Sequence, residues 1–250
     1  MKDEALLRYS RQIMLPELDV QGQQKLNDAS VLIVGMGGLG CPVAMYLAAA
    51  GIGHLFIADD DSVELTNLQR QIAHSEANIG ELKVTSAKTT LQQLNPDINV
   101  TTIAERLEGD ALAAAVSKVD LVVDACDNFA TRFAINRAAI AHSVPVVSGA
   151  AIRMEGQVAV FDSRDSASPC YQCLYKESDD VDTSCATNGV MAPLVGIIGS
   201  VQAMEAIKLL AGIGKPLTGR LLLLDAGTMQ WREMKLPPDP NCPACRASGT

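Results

Sequence analysis

A chain of 250 residues with 48% hydrophobic and 20% charged residues can bury one large α/β core, which excludes a disordered protein. Its 29 acidic and 20 basic side chains give a formal net charge of -9, and such a surface repels a phosphate backbone. We therefore predict no nucleic-acid partner, and any phosphate chemistry must depend on a few well-placed cations.

The N-terminal residues predict no secretion signal, because they are charged and contain no apolar segment. The uncharged stretch 190–204 covers about 15 residues, which is fewer than the roughly 20 that span a bilayer. A buried helix is therefore predicted there, with no membrane partner. We expect a cytoplasmic protein.

The first part of the chain alternates between helix and strand patterns. In chain order the sequence predicts helices at 4–14 and 19–28, a strand at 30–34, a helix at 38–50, a strand at 54–58 and a helix at 79–94. Strands at 100–103, 121–124 and 145–148 follow, separated by helices at 111–116 and 128–142. The run at 30–34 is nearly all apolar, which is typical of a strand buried on both faces. The alternation predicts an α/β fold with a Rossmann-like, mainly parallel sheet.

The pattern changes after Gly149. Strands at 157–161, 221–224 and 229–236 are expected to extend the sheet in antiparallel fashion. The acidic stretch 177–182 is expected to be a mobile loop, and the proline-rich tail from Pro237 needs an anchor. We predict a single domain over 1–250, made of N-terminal helices at 1–29 and two halves at 30–150 and 151–250.

A glycine motif lies between the first predicted strand and its helix. Gly35, Gly37 and Gly40 fit G-x-G-x-x-G, with Gly38 inside the motif. Such glycines allow a tight turn and bring the backbone close to a phosphate at a helix N-terminus. Asp59 follows about 20 residues later, where a carboxylate accepts ribose hydroxyls. The motif indicates a nucleotide site, although a dinucleotide-dependent oxidoreductase uses the same fingerprint.

The segment after the second strand favours a triphosphate. Asn67, Arg70 and Lys83 supply an amide and two cations just beyond Asp59. A triphosphate needs such groups because negative charge builds on the α-phosphate and on the departing pyrophosphate. The alternative is that both cations are ordinary solvated helix residues.

Asp127 and Asn128 follow the fourth predicted strand, at the edge of the sheet where open α/β folds bind ligands. Asp127 is positioned to hold Mg²⁺, which prefers carboxylates, waters and phosphate oxygens. Its alternative role is the N-cap of the helix that follows.

Two Cys-x-x-Cys pairs, Cys170 with Cys173 and Cys242 with Cys245, match a tetrahedral structural zinc site. A metal there would attach the tail to the sheet, and disulfides or redox activity are the alternatives. Cys41 and Cys126 are predicted to be inert core residues. Cys185 is left over after the acidic stretch, and it is a candidate acceptor of an acyl group or sulfur. Nearby aspartates should raise the pKa of its thiol, which argues against unusual reactivity.

Together these segments resemble the MoeB/ThiF/HesA family of adenylyltransferases, the bacterial relatives of ubiquitin-activating enzymes. The similarity covers essentially the whole chain. It is carried by residues 8–13, 35–40, 59–61, 67–71, Lys83, 126–128 and both cysteine pairs. It implies an ATP-binding homodimer with Mg²⁺ and structural Zn²⁺ that adenylates the C-terminal Gly-Gly carboxylate of a ubiquitin-like sulfur-carrier protein.

The resemblance also implies roles for single residues. Gly38 contacts the phosphates, Asp59 the ribose, and Asp127 the metal. Asn67, Arg70 and Lys83 contact the triphosphate. Arg11 is similar to the arginine that the family supplies across the dimer interface. The nucleotide-binding segment extends to neighbouring residues, namely Thr66, Leu68, Gln69 and Asn128.

The sequence carries features of two branches of the family. Residues 148–157 and 232–236 look like the molybdopterin-synthase branch, whose carrier is MoaD-like, and we favour that branch. Residues 94–98 and 230–232 look more like the thiamine-thiazole branch, with a ThiS-like carrier. No rhodanese-like extension follows, so a separate sulfur donor protein is expected. The rival classes are a nicotinamide-dependent oxidoreductase, a relative acting on transfer RNA, and a silent scaffold that binds the carrier.

Overall fold

The computed structural model describes residues 2–177 and 188–246. The helices are α1 (Asp3–Arg8), α2 (Ser10–Ile13), α3 (Asp19–Asp28), α4 (Gly40–Ala50), α5 (Lys83–Leu94), α6 (Gly109–Val116), α7 (Phe129–His142), α8 (Tyr171–Leu174) and α9 (Ala192–Ala211). The strands are β1 (Ser30–Val34), β2 (His54–Ala58), β3 (Asn99–Ile103), β4 (Leu121–Asp124), β5 (Val146–Ile152), β6 (Glu155–Phe161), β7 (Arg220–Asp225) and β8 (Gln230–Lys235).

The described strands form one mixed sheet in the order β3-β2-β1-β4-β5-β6-β7-β8. The first five are parallel, and β6, β7 and β8 continue the sheet in antiparallel pairs. The prediction of an α/β fold with an antiparallel extension is therefore confirmed. β1 carries four fully or nearly buried residues because helices cover both faces of the sheet.

The adjacent strands β1 and β4 form the topological switch point of the sheet, where the strand order reverses. β2 and β3 are added on one side of β1, and β4 and β5 on the other. The carboxyl ends of β1, β2 and β4 therefore meet at one edge, with their connections leaving in opposite directions. Open α/β folds bind ligands in the crevice at such a point.

Two predicted helices begin or divide differently in the structure. The predicted helix at 4–14 is divided at Tyr9 into α1 and α2. Tyr9 is buried, and its hydroxyl accepts a hydrogen bond of 2.8 Å from Asn95 Nδ2, so the break serves packing. The predicted helix at 79–94 begins only at Lys83. Gly80 has a φ of +88°, which a right-handed helix does not tolerate.

The predicted helix at 190–204 is longer than the sequence suggested. α9 has 20 residues and is apolar enough to cross a membrane by length and composition, so the length argument was wrong. The helix packs against α4, β5 and β6. The Gln202 side chain donates a hydrogen bond of 2.8 Å to the carbonyl of Asp124. These contacts make α9 a helix of the protein core.

Candidate functional site

A cavity of about 610 Å³ lies at the carboxyl ends of β1, β2 and β4. The predicted site residues that line it are Gly35, Gly37, Gly38, Asp59, Arg70, Lys83, Asp127 and Asn128. These residues come from five separate segments of the chain, and the sheet brings them to one place because parallel strands end at the same edge. The volume is that of a typical ligand site.

The glycine loop is built for close approach. Gly35 has a φ of +96°, and a Cβ there would lie 2.8 Å from the Ala125 carbonyl oxygen. A Cβ at Gly40 would lie 1.8 Å from the Gly35 carbonyl oxygen, so this glycine serves packing rather than the cavity. At Gly37 the nearest atom to a Cβ is Gln71 Nε2 at 3.7 Å. That free space can take a phosphate, and a side chain there would fill it.

Asp59 and Lys83 face each other beside this loop. One Asp59 oxygen accepts a hydrogen bond of 2.7 Å from the backbone N–H of Met36, which lies inside the glycine loop. Lys83 Nζ is 3.8 Å from the other Asp59 oxygen and donates to Asp61 at 2.7 Å. Burial raises the pKa of Asp59, whereas the ammonium of Lys83 acts to lower it. Lys83 as a whole is only 6% exposed, so a phosphate in the cavity would meet a largely desolvated cation.

The segment at 66–71 is divided between two roles. Arg70 and Gln71 line the cavity. Gln71 is 4% exposed, and its Oε1 has no hydrogen-bond partner among the described residues. The other predicted residues of this segment, namely Thr66, Asn67, Leu68 and Gln69, do not line the cavity. They build the turn that presents Arg70, whose guanidinium donates to the Thr66 carbonyl at 3.0 Å.

Asp127 faces the cavity without a capping role. The side chain of Asn128, not that of Asp127, caps α7, because its Oδ1 accepts a hydrogen bond of 2.9 Å from the Thr131 N–H. Asp127 is exposed at the mouth of the cavity. Mg²⁺ is commonly held by one carboxylate together with substrate phosphates and waters, and an exposed carboxylate beside a phosphate-sized space fits that requirement.

A buried ion pair supports the turn that carries Asp127. The Arg132 guanidinium donates to the carbonyl of Cys126 at 2.5 Å, to that of Gly149 at 2.8 Å and to Asp124 at 3.2 Å. Asp124 also accepts a hydrogen bond of 2.6 Å from the Ser148 hydroxyl. Arg132 therefore ties the end of β4 to β5. No local sequence pattern identifies Arg132, since it lies on α7 and its partners lie at the end of β4 and on β5.

Replacing Arg132 with methionine should lower the free energy of unfolding by about 3 kcal/mol, because the buried Asp124 carboxylate loses its partner. Urea denaturation measures this change. Arg137→Met on the same helix is the matched control, since Arg137 pairs with Glu177 at the surface and such pairs contribute less than about 1 kcal/mol. Equal losses of unfolding free energy in the two variants would show that the buried ion pair stabilises the protein no more than the surface pair does.

His74 lies beneath the glycine loop and is 8% exposed. Its Nε2 is 3.1 Å from the Met36 carbonyl oxygen and its Nδ1 is 2.9 Å from the Ser86 hydroxyl. These partners fit a neutral ring with the proton on Nε2. Burial lowers the pKa of His74, and the charge of Lys83 lowers it further.

Protein stability should fall as the pH drops below about 6.5, the pKa of an unfolded histidine. The pKa of His74 is lower in the folded state, so its contribution is present above that pH and is lost as the unfolded chain takes up more protons. His74→Gln should flatten the pH profile of the unfolding free energy between about pH 7 and pH 5. His54→Gln, at a more exposed histidine, should flatten it less. A profile unchanged by His74→Gln would contradict this assignment.

The four paired cysteines come together around the short helix α8. The Sγ atoms of Cys170 and Cys242 are 3.5 Å apart, and those of Cys173 and Cys245 are 3.6 Å apart. All four sulfurs lie within 4.8 Å of one another, too far for disulfides. A tetrahedral Zn–S₄ site with bonds of ~2.3 Å has sulfur–sulfur edges of about 3.8 Å. The cluster fits zinc, and it brings the tail to α8.

The structure tests the predictions for two of the three remaining cysteines, Cys41 and Cys126. Cys41 and Cys126 are buried. Burial raises the pKa of the Cys41 thiol to about 12 and that of Cys126 well above its ordinary value, in agreement with inert core residues. Cys185 and most of the acidic stretch at 177–182 lie outside the described residues.

Arg11 is exposed and lies away from the nucleotide cavity. It lines a second, mainly apolar cavity of about 410 Å³ between α2, α4 and α9. A role for Arg11 at the first cavity therefore requires another copy of the chain, as the resemblance implies.

Several cavity residues were missed from the sequence. Glu105, Arg106 and Leu107 line the cavity directly after β3, and the rule that ligands bind at carboxyl ends of strands could have identified them. Gln157 and Tyr175 also line it. They come from the antiparallel extension and from the segment after a cysteine pair. The resemblance of residues 148–157 to one branch of the family includes Gln157 but assigns it no role.

Comparison with known proteins places this architecture among ATP-using enzymes. The model of the ThiF family matches residues 9–244. The chain is 51% identical over 245 residues to the molybdopterin-synthase adenylyltransferase of Escherichia coli K12, covering 98% of each protein. It is 46% identical over 248 residues to the sulfur carrier protein ThiS adenylyltransferase of the same strain, covering 99% of this chain and 98% of the relative. A crystal structure of E. coli MccB with ATP aligns with a TM-score of 0.82 at 25% identity, over 95% of this chain and 73% of that one.

Proposed function

The chain belongs to the ThiF family, and from this premise we propose that it uses ATP to adenylate the C-terminal Gly-Gly carboxylate of a ubiquitin-like sulfur-carrier protein. The reaction releases pyrophosphate. The observation that carries the proposal is the single cavity lined by the glycine loop, Arg70, Lys83 and Asp127. A hydride-transfer enzyme that uses NAD has no need for cations beside its ribose site, since only the 2′-phosphate of NADP requires one there.

The reaction needs positioning and charge neutralisation more than acid–base catalysis. The attacking carboxylate is ionised at neutral pH, so no general base is required. Lys83 and Arg70 neutralise the charge that develops on the α-phosphate and on pyrophosphate, while the loop at Gly37 leaves space for the phosphates. Asp59 holds the ribose. The product is a mixed anhydride of the carrier with AMP, which a sulfur donor can convert to a thiocarboxylate.

Asp127 would hold Mg²⁺, which supplies positive charge to the phosphates when bound. The four paired cysteines would hold Zn²⁺ in a closed structural site, since four thiolates leave no open position. Arg11 would act on the cavity of a partner copy in a homodimer. Sulfur would come from a separate protein. A cytoplasmic location suits an enzyme that uses ATP and keeps thiols reduced for metal binding.

The molybdopterin branch, with a MoaD-like carrier, is the first candidate. Identity to the E. coli molybdopterin-synthase adenylyltransferase is 51%, and identity to the ThiS adenylyltransferase is 46%, which favours the first slightly. The second candidate is therefore the same reaction on a ThiS-like carrier for thiamine-thiazole biosynthesis.

ATP–pyrophosphate exchange tests the proposal and separates the two branches. Purified enzyme is given ATP, Mg²⁺ and labelled pyrophosphate with a MoaD-like or a ThiS-like carrier, each also prepared without its last glycine. Exchange with one full-length carrier, lost on truncation, identifies the branch. Tight binding of NAD in calorimetry, with no heat from Mg-ATP and no exchange with either carrier, would overturn the proposal.

A further inference from the structure

The cavity extends well beyond the phosphate-binding end. Its far wall is made by β5, β6, β7 and α8, and includes Ile152, Gln157, Tyr175 and Leu223. Arg70 and Lys83 lie at the other end, and Arg132 between them is already paired with buried Asp124. The far end is thus suited to an uncharged, extended ligand rather than to more phosphate.

Gln157 and Tyr175 form a polar contact on this wall. Gln157 Nε2 lies 2.8 Å from the Tyr175 hydroxyl, and the same hydroxyl lies 2.9 Å from Gln157 Oε1. One of these hydrogen bonds is enough to keep the two side chains together. The other amide atom of Gln157 is then available to form a hydrogen bond with a ligand. A peptide tail brings N–H and C=O groups that need partners once water is excluded, and a carboxamide offers both a donor and an acceptor.

Tyr175 is placed there by the cysteine cluster. The short helix α8 begins directly after Cys170, includes Cys173, and ends one residue before Tyr175. Asn136 of α7 holds its start, accepting a hydrogen bond of 2.9 Å from the Tyr171 N–H. The Tyr175 ring packs edge-on against Phe129 at 5.5 Å, and Phe129 is the first residue of α7, two positions beyond Asp127. One helical turn thus connects the thiols to the cavity wall.

We infer that Gln157 and Tyr175 are carrier-binding residues that form hydrogen bonds to the peptide backbone of the carrier's C-terminal tail, and that the cysteine cluster positions Tyr175 for this contact. The inference rests on the proposed function. If the inference holds, loss of the metal weakens carrier binding but leaves ATP binding unchanged, because the phosphate-binding residues Arg70 and Lys83 do not lie on α8.

Calorimetry with the wild-type enzyme and a full-length carrier, in the presence of a non-hydrolysable ATP analogue, tests the pair. Tyr175→Phe and Gln157→Leu should each weaken carrier binding about fivefold to tenfold, the effect of one lost hydrogen bond. The affinity for the ATP analogue should change less than about twofold. The double variant should resemble each single one, because the two residues act through one contact. Gln24→Leu, at an exposed amide on α3, is the control and should bind carrier like wild type.

A second arm removes the metal without touching α8. Cys245→Ser should lower the metal content, change the near-ultraviolet circular dichroism of the tyrosines, and weaken carrier binding as Tyr175→Phe does, with ATP-analogue affinity retained. Unchanged carrier affinity in both Tyr175→Phe and Gln157→Leu, or equal losses for carrier and ATP analogue, would overturn the inference. If the wild-type enzyme catalysed no exchange with any Gly-Gly carrier, the proposed function itself would fail instead.

Discussion

Asp127→Ala should lower carrier-dependent ATP–pyrophosphate exchange by about 10²- to 10³-fold, the usual loss when one group that stabilises transition-state charge is removed. Asp127 is exposed at the cavity and does not cap α7, so its removal should leave stability within about 0.5 kcal/mol of wild type. Exchange rates at several Mg²⁺ concentrations, together with thermal melting, measure both effects.

The matched control for this variant is Asp110→Ala. Asp110 lies in the first turn of α6 and does not line the cavity, so the exchange rate should be unchanged. Full exchange by Asp127→Ala at low Mg²⁺ would refute the metal-holding role of this carboxylate. A loss of exchange accompanied by an equally large loss of stability would instead place its role in the fold.

Cys170→Ala should abolish zinc binding by the cysteine cluster and lower the free energy of unfolding by on the order of 5 kcal/mol, because a structural metal contributes to folding directly. For a chain of this size that loss corresponds to a fall in Tm of roughly 10–20 °C. Cys170 is 3% exposed, and burial raises the pKa of its thiol. Metal binding must therefore displace its proton, so metal affinity should weaken at acidic pH.

Metal analysis by mass spectrometry and thermal melting in reducing buffer measure these changes. Cys41→Ala is the control, because Cys41 is equally buried but lies outside the cluster. It should keep one zinc per chain and lose only about 1 kcal/mol. Wild-type protein purified without metal, and melting at the same temperature as the zinc-free Cys170→Ala variant, would show that the cluster is not a zinc site.

The sequence identified those parts of the site whose residues lie in short, contiguous motifs. The glycine motif, Asp59 at the end of β2 and the position of Asp127 after β4 follow from local rules: glycines where the backbone must turn, and polar residues where buried strands end. The spacing within each cysteine pair likewise reports on a local turn. The structure brings all of these residues to the expected places.

The sequence predicted that antiparallel strands extend the sheet, but it did not predict that these strands form part of the cavity wall. Strands at 157–161 and 221–224 were expected, and the structure has them as β6 and β7. That their residues Gln157 and Leu223 form a wall of the nucleotide cavity depends on sheet order. No local pattern encodes the position of strands that lie three and four places away from β1.

By itself the sequence determined the class of fold, the glycine loop and the two cysteine pairs, since each depends on residues close together in the chain. Only the tertiary structure decided which residue caps α7, that α9 continues to Ala211 inside the core, and that Arg132 links β4 to β5. It also placed Tyr175 against Gln157. The cap of α7 is a local contact between Asn128 and Thr131. The contacts of Arg132, Tyr175 and Gln202 join segments 17 to 78 residues apart, and long-range packing, rather than local propensity, selects such pairs.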